Sequence, residues 1–109
     1  MSWTYVKSKT GTGWADIPTS VSDVAKEYLI IASFGLNDVY GFTYILPAEA
    51  VNLPAGSTGT SRYIHGSYNS ANDYHNVCIE CYAKNIRLFS WNWSGTDCSN
   101  SSYIKIYYR

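Results

Sequence analysis

Charge is scarce in this chain. Only 15% of its 109 residues are Asp, Glu, Lys or Arg, and eight acids cancel eight bases. No basic field exists to attract phosphates, which argues against a nucleic-acid partner. A surface so lightly charged also has little protection against self-association. Long apolar runs are missing too. None approaches the roughly 20 residues a membrane helix needs, so no membrane insertion is expected. Met1-Ser2-Trp3 has neither the basic start nor the apolar h-region of a signal peptide. The three cysteines are an odd number, which excludes a fully paired disulfide framework and makes cytosolic synthesis with free thiols the expectation. Nucleophile elbows, phosphate loops and EF-hand-like acidic loops are absent. No cofactor, no metal and no enzymatic activity are expected.

Aromatic side chains are abundant, at 17%, with eleven tyrosines and four tryptophans. So is period-2 alternation, the mark of a half-buried strand. In Ser102 to Arg109, Ile104, Ile106 and Tyr108 fall on one side and Tyr103, Lys105, Tyr107 and Arg109 on the other. Trp3 to Lys7 predicts a first strand, Thr10 to Gly13 a turn, and Trp14 to Ile17 a short extended piece ended by Pro18. Ser20 to Lys26 predicts one helical turn capped by Ser20 or Ser22. Tyr28 to Phe34, the most apolar run, suits a strand covered on both faces. Gly35 to Asp38 breaks it. Val39 to Leu46 follows, with Tyr40, Phe42, Tyr44 and Leu46 on one face, and Ala48 to Val51 makes another turn after Pro47. Asn52 to Thr60 is a loop by composition. Arg62 to Tyr68 reads as a strand, Asn69 to Asp73 as a polar turn, and Tyr74 to Ala83 as a strand with Val77, Ile79, Cys81 and Ala83 inward. Lys84-Asn85 reads as a tight hairpin turn. Ile86 to Asn92 puts Ile86 and Leu88 inward and Arg87, Phe89 and Trp91 outward. Seven or eight short strands with at most two helical turns predict a single all-β domain over residues 1–109, an antiparallel sandwich of jelly-roll-like type.

Cys78-Ile79-Glu80-Cys81 has the letters of a chelating pair. On a strand, however, positions 78 and 81 point to opposite faces and cannot hold one ion. His65 or His75 could be a general base paired with Asp73 or Glu80, but no nucleophile or oxyanion pattern accompanies them. The outward aromatics say more. Phe89, Trp91, Trp93, Tyr103 and Tyr107 lie out of phase with the core positions. So large an exposed set implies a covering partner, a sugar-stacking platform, or cover from the chain's own loops. The segments 68–74 and 91–97 mix rings with Asn, Asp and Ser, a composition suited to hydroxyl-bearing ligands. The candidate ring contacts are Trp91, Trp93, Tyr68 and Tyr74. The candidate polar contacts are Asn69, Asn72, Asp73 and Asp97.

The order of these segments carries a resemblance. A Trp-led strand, a Gly/Thr turn and an Ile-Pro element precede "YLIIASF". An aromatic strand closed by "ILP" comes next, then "HGSYNSANDYHNVCIECYAKNIRLFSW", a Gly/Ser/Asn loop and a terminal "YIKIYYR". This resembles the C-terminal tip domains of tail fibre and receptor-binding proteins of tailed bacteriophages and prophages. The resemblance covers nearly the whole chain as a pattern of strands, without a diagnostic motif. It implies a β-sandwich at the fibre tip of a virion, made without a signal peptide, and usually a homotrimer with one sheet face buried around the threefold axis. It further implies attachment to a bacterial surface glycan or protein. The alternatives are a monomeric carbohydrate-binding module and a purely structural fibre-trimerisation domain.

Overall fold

Alternation decides which side of each strand enters the core. The computed structural model describes residues 2–11, 13–33, 41–53, 62–70, 73–91 and 103–109. Its strands are β1 (Thr4–Thr10), β2 (Ala15–Asp16), β3 (Glu27–Ser33), β4 (Gly41–Pro47), β5 (Arg62–Ser70), β6 (Asp73–Tyr82), β7 (Asn85–Trp91) and β8 (Tyr103–Tyr108). Two single helical turns, α1 (Thr19–Ser22) and α2 (Ala48–Val51), interrupt them. The strands form two antiparallel sheets: sheet A in the order β1-β8-β3-β4 and sheet B in the order β2-β7-β6-β5. The fold is therefore an all-β sandwich. The first strand pairs with the last and the second with the next to last, one pair in each sheet, a nesting like that of jelly rolls. The inner strands close as the hairpins β3–β4, β5–β6 and β6–β7.

The core lies between the two inner faces. Sheet A supplies Tyr28, Ile30, Ala32, Ile104 and Ile106. Sheet B supplies Ala15, Ile79, Cys81, Ile86 and Leu88, and Ile17 and Val51 close the ends. Each large aliphatic side chain here is worth about 1.5–3 kcal/mol of burial. Tyr28 is fully enclosed, and its hydroxyl donates to Asn52 Oδ1 at 2.8 Å. Asn52 Nδ2 donates in turn to the Ser22 carbonyl, so one buried phenol ties both helical turns to sheet A. β1 carries a bulge: Tyr5 faces Tyr107 and Lys7 faces Ile106, leaving Val6 as the extra residue. Val6 packs on the core, and Lys7 Nζ reaches Asp16 Oδ1 at 2.7 Å, tying the edge of sheet A to β2 of sheet B.

Several expectations are corrected. β3 is not covered equally on both faces: Tyr28, Ile30 and Ala32 are buried against sheet B, but Leu29 and Ile31 are only half-buried, and among the described residues no second layer covers the outer side of sheet A. α1 is not capped by serine. Pro18 occupies the N-cap, no side chain caps it, and Ser22 Oγ donates to Thr19 O instead. The β6–β7 turn is Ala83-Lys84, one residue earlier than expected. Tyr82 pairs with Asn85, and Ala83 and Lys84 both adopt positive φ, 51° and 63°. The polar segment 69–73 is mostly strand, since β5 runs to Ser70 and Ser70 pairs with Asp73. Hairpin pairing outweighs loop-like composition there. The first strand extends past Lys7 to Thr10, because β8 offers pairing partners along its whole length. The expected break at residues 35–38, the Tyr40 position and most of the loop to Thr60 lie outside the described residues.

Candidate functional site

The outer faces are where these strands differ. On sheet A, the Cα register sets Tyr5, Tyr107, Leu29 and Ile45 in one row across all four strands. Tyr5 is 56% exposed and Ile45 57%. The Tyr5 and Tyr107 rings meet edge to face at 5.6 Å. The next row holds Ser8, Lys105, Ile31 and Thr43, with Lys105 Nζ 5.2 Å from the Tyr103 ring centroid. At the strand ends, Arg109 Nε donates to Glu27 and its guanidinium lies 4.0 Å from the Trp3 ring centroid. The outward phase predicted for Tyr103, Lys105 and Tyr107 is what the structure has: none of the three is buried, while Ile104 and Ile106 are.

On sheet B the outer face is polar as well as aromatic. Trp14, just before β2, is 41% exposed. The Arg87 guanidinium stands 4.8 Å from its ring centroid, and the Tyr82 ring is tilted against it at 6.5 Å. Arg87 Nε donates to Glu80 Oε1 at 2.6 Å, and the Glu80 side chain is only 6% exposed. This carboxylate sits on the outward side of β6, yet is buried and ion-paired, as a charge at that depth must be. Two residues beyond Trp14, the exposed Asp16 accepts from Lys7, whose ammonium holds its carboxyl below the usual carboxylate range.

The predicted contact residues divide. Register pairs Asn69 with Tyr74 and Asn76 with Trp91, so Asn69, Tyr74 and Trp91 occupy positions on the outward side of sheet B, in phase with Glu80 and Arg87. Tyr68 pairs with His75 and Asp73 with Ser70, positions in phase with inward Ile79. All five belong to the end of sheet B farthest from Trp14. Asn72, Trp93 and Asp97 lie outside the described residues. Cys81 is buried in the core, and Cys78 occupies a position of opposite phase. Among the described residues no three His, Cys, Asp or Glu side chains are grouped to hold a metal ion, and no helix is long and apolar enough to cross a membrane.

Composition missed the Trp14 cluster. It is assembled from four strands, β1, β2, β6 and β7, and a pre-strand residue, so no local segment carries it. The available signal was Trp14 and Asp16 flanking Ala15, two outward positions on a piece whose inward residues are Ala15 and Ile17. No protein-family model matches the chain, and neither a curated protein nor a solved structure is significantly similar to it.

Proposed function

We propose that this chain is a non-enzymatic attachment module: the receptor-binding tip domain of a phage tail fibre, homotrimeric, recognising a bacterial surface saccharide or protein. The observation that carries this reading is the outer face of sheet A. Tyr5 and Ile45 leave more than half their surface wet, with Leu29, Ile31 and Tyr107 between or beside them. Contiguous apolar surface of this kind favours burial against another subunit. The contacts to the receptor fall to the rings and amides of residues 68–74 and 91–97. Three weak sites held on one rigid particle gain avidity of about 10²–10⁴ over a single site. In this reading the assembled particle resides at the virion's fibre tip.

Sedimentation equilibrium tests the assembly, and a trimer is expected. A natively folded monomer that still binds glycan would instead be a carbohydrate-binding module. A trimer that binds neither host cells nor any glycan would be a structural fibre element. Trp93→Ala is expected to lower cell binding while leaving the melting temperature unchanged; undiminished binding removes Trp93 from the site.

A further inference from the structure

Trp14 belongs to none of the segments that composition marks for binding, and it stands at the opposite end of sheet B from them. We propose that Trp14 and Asp16 form a separate stacking site for an uncharged sugar ring, with the indole as platform and the Asp16 carboxylate as hydroxyl acceptor.

The first support is exposure joined to rigidity. An indole left 41% exposed offers a large flat apolar surface. Its orientation is fixed from behind by a chain of contacts: Glu80 is buried in the sheet, Arg87 is bound to Glu80, and the Arg87 guanidinium lies against the Trp14 ring. Tyr82 limits the ring from the side. A platform already held in place loses little freedom when a ligand lands on it. The second support is a placed acceptor. Asp16 follows Trp14 by two residues, about 7 Å along an extended chain. Its carboxylate is exposed and is anchored by Lys7 at 2.7 Å. An ionised carboxylate accepts strong hydrogen bonds from hydroxyls. The third support is charge. The cluster's four charged groups form two internal pairs, Lys7 with Asp16 and Arg87 with Glu80, which sum to zero. A phosphate, sulfate or uronate would be repelled by the exposed Asp16 carboxylate, the acceptor the site offers. A pyranose offers what the site asks for, a C–H face for the indole and hydroxyls for the carboxylate.

The test is a ¹H–¹⁵N titration of the intact chain with neutral oligosaccharides built on glucose, galactose, mannose or N-acetylglucosamine, alongside sulfated and carboxylated counterparts. At least one neutral probe should give saturable shifts of the Trp14 indole N–H and the Asp16 amide. Trp14→Ala should weaken that binding about tenfold or more, the loss typical of removing an aromatic anchor. Asp16→Asn should weaken it less. The site is overturned if no neutral probe moves Trp14, if Trp14→Ala binds as the parent does, or if acidic probes bind in preference. Loss of all glycan binding in Trp93→Ala, with Trp14→Ala unaffected, would assign recognition to the loops alone and refute this site while supporting the function proposed above. Trp14→Phe keeps a ring and gives a readout should Trp14→Ala fail to fold: intermediate affinity supports stacking, and unchanged affinity refutes it.

Discussion

The two sheets share one core but turn different faces to the outside. Sheet A presents Tyr5, Tyr107, Leu29 and Ile45 in a row, and the charges in phase with that row, Glu27, Lys105 and Arg109, lie at the strand ends or near the Tyr103 ring. Sheet B presents a buried carboxylate, the arginine bound to it and an exposed tryptophan. The inward residues of both sheets are the same kind, mostly isoleucine, alanine and leucine. Inner positions answer to a single demand, which is to fill the space between the layers. Outer positions are released from it, and there each sheet is free to carry its own purpose. A sandwich of this design separates folding from function residue by alternate residue.

The largest expected effects test whether the core is common to both layers. Ile106→Ala in sheet A and Ile79→Ala in sheet B, both buried, should each cost about 2–5 kcal/mol in urea unfolding. Ile45→Ala, on the outer face of sheet A, should cost the isolated subunit no more than about 0.5 kcal/mol. An Ile45→Ala loss in a monomer as large as that of Ile106→Ala would mean that the face is covered by the chain itself, and the contrast between the faces would fail.

Next come the two ion pairs. Glu80 is buried beneath Arg87, whereas Glu27 and Arg109 are each about a third exposed. Glu80→Gln removes the charge of a buried carboxylate that accepts from Arg87 Nε and should destabilise by about 1–3 kcal/mol. Glu27→Gln should cost at most about 1 kcal/mol, because water solvates what remains. Thermal melts of the two variants side by side decide it, and equal losses would contradict the difference in burial.

A gain is expected at the β6–β7 turn. Two central residues at positive φ define a turn that favours Asn-Gly, yet this one is built from Ala83 and Lys84. Lys84→Gly should stabilise by about 1 kcal/mol, since glycine adopts φ near 63° without a Cβ clash. A loss in the melt would show that the Lys84 side chain contributes more than its backbone conformation costs.

The parts of this molecule legible in its sequence are those governed by alternation. In β8, Ile104 and Ile106 are separated by Lys105, and burial follows that order. Ile79 and Cys81 in β6 and Ile86 and Leu88 in β7 are buried as their phase requires. Alternation does not mark where a hairpin turns, which is why the turn falls at Ala83-Lys84, one residue earlier than expected: neither residue has turn chemistry, and cross-strand pairing holds them there together with the Ile17 N–H given to the Lys84 carbonyl and the Asn85 amide given to the Ala83 carbonyl. Nor does it show what meets across strands. Trp14 and Arg87 are 73 positions apart in the chain, and the 4.8 Å contact between them exists only once β2 has paired with β7. Asn69, Tyr74 and Trp91 were grouped by composition, and register keeps them in phase. Tyr68 and Asp73, grouped with them, fall in the opposite phase, because ring and amide content is blind to which side of a strand a residue takes.

The smallest expected effect concerns the exposed pair on sheet B and depends on pH. Lys7 donates to Asp16 and, with the Asp16 backbone, holds that carboxyl below its ordinary value. A carboxyl whose folded value is depressed binds protons more weakly in the folded chain than in the unfolded one. Its contribution is therefore complete above the unfolded value of about 3.9 and is lost as pH falls through the lower folded value. Asp16→Asn should lower the urea midpoint slightly near pH 7, where the contribution is complete, and the two curves should converge as pH falls below about 4. The difference from the parent should shrink in about 1 M salt, where the screening length is about 3 Å and an exposed pair is weakened. No comparable salt-sensitive limb is expected from the row of Tyr5, Tyr107, Leu29 and Ile45, which carries no titrating carboxyl. Parent and Asp16→Asn curves that run parallel from about pH 2 to pH 7 would mean that the Lys7 contact adds nothing to folding. The anchoring of Asp16 would then rest on the bulge at Val6, which brings Lys7 to it, and not on the charge they share.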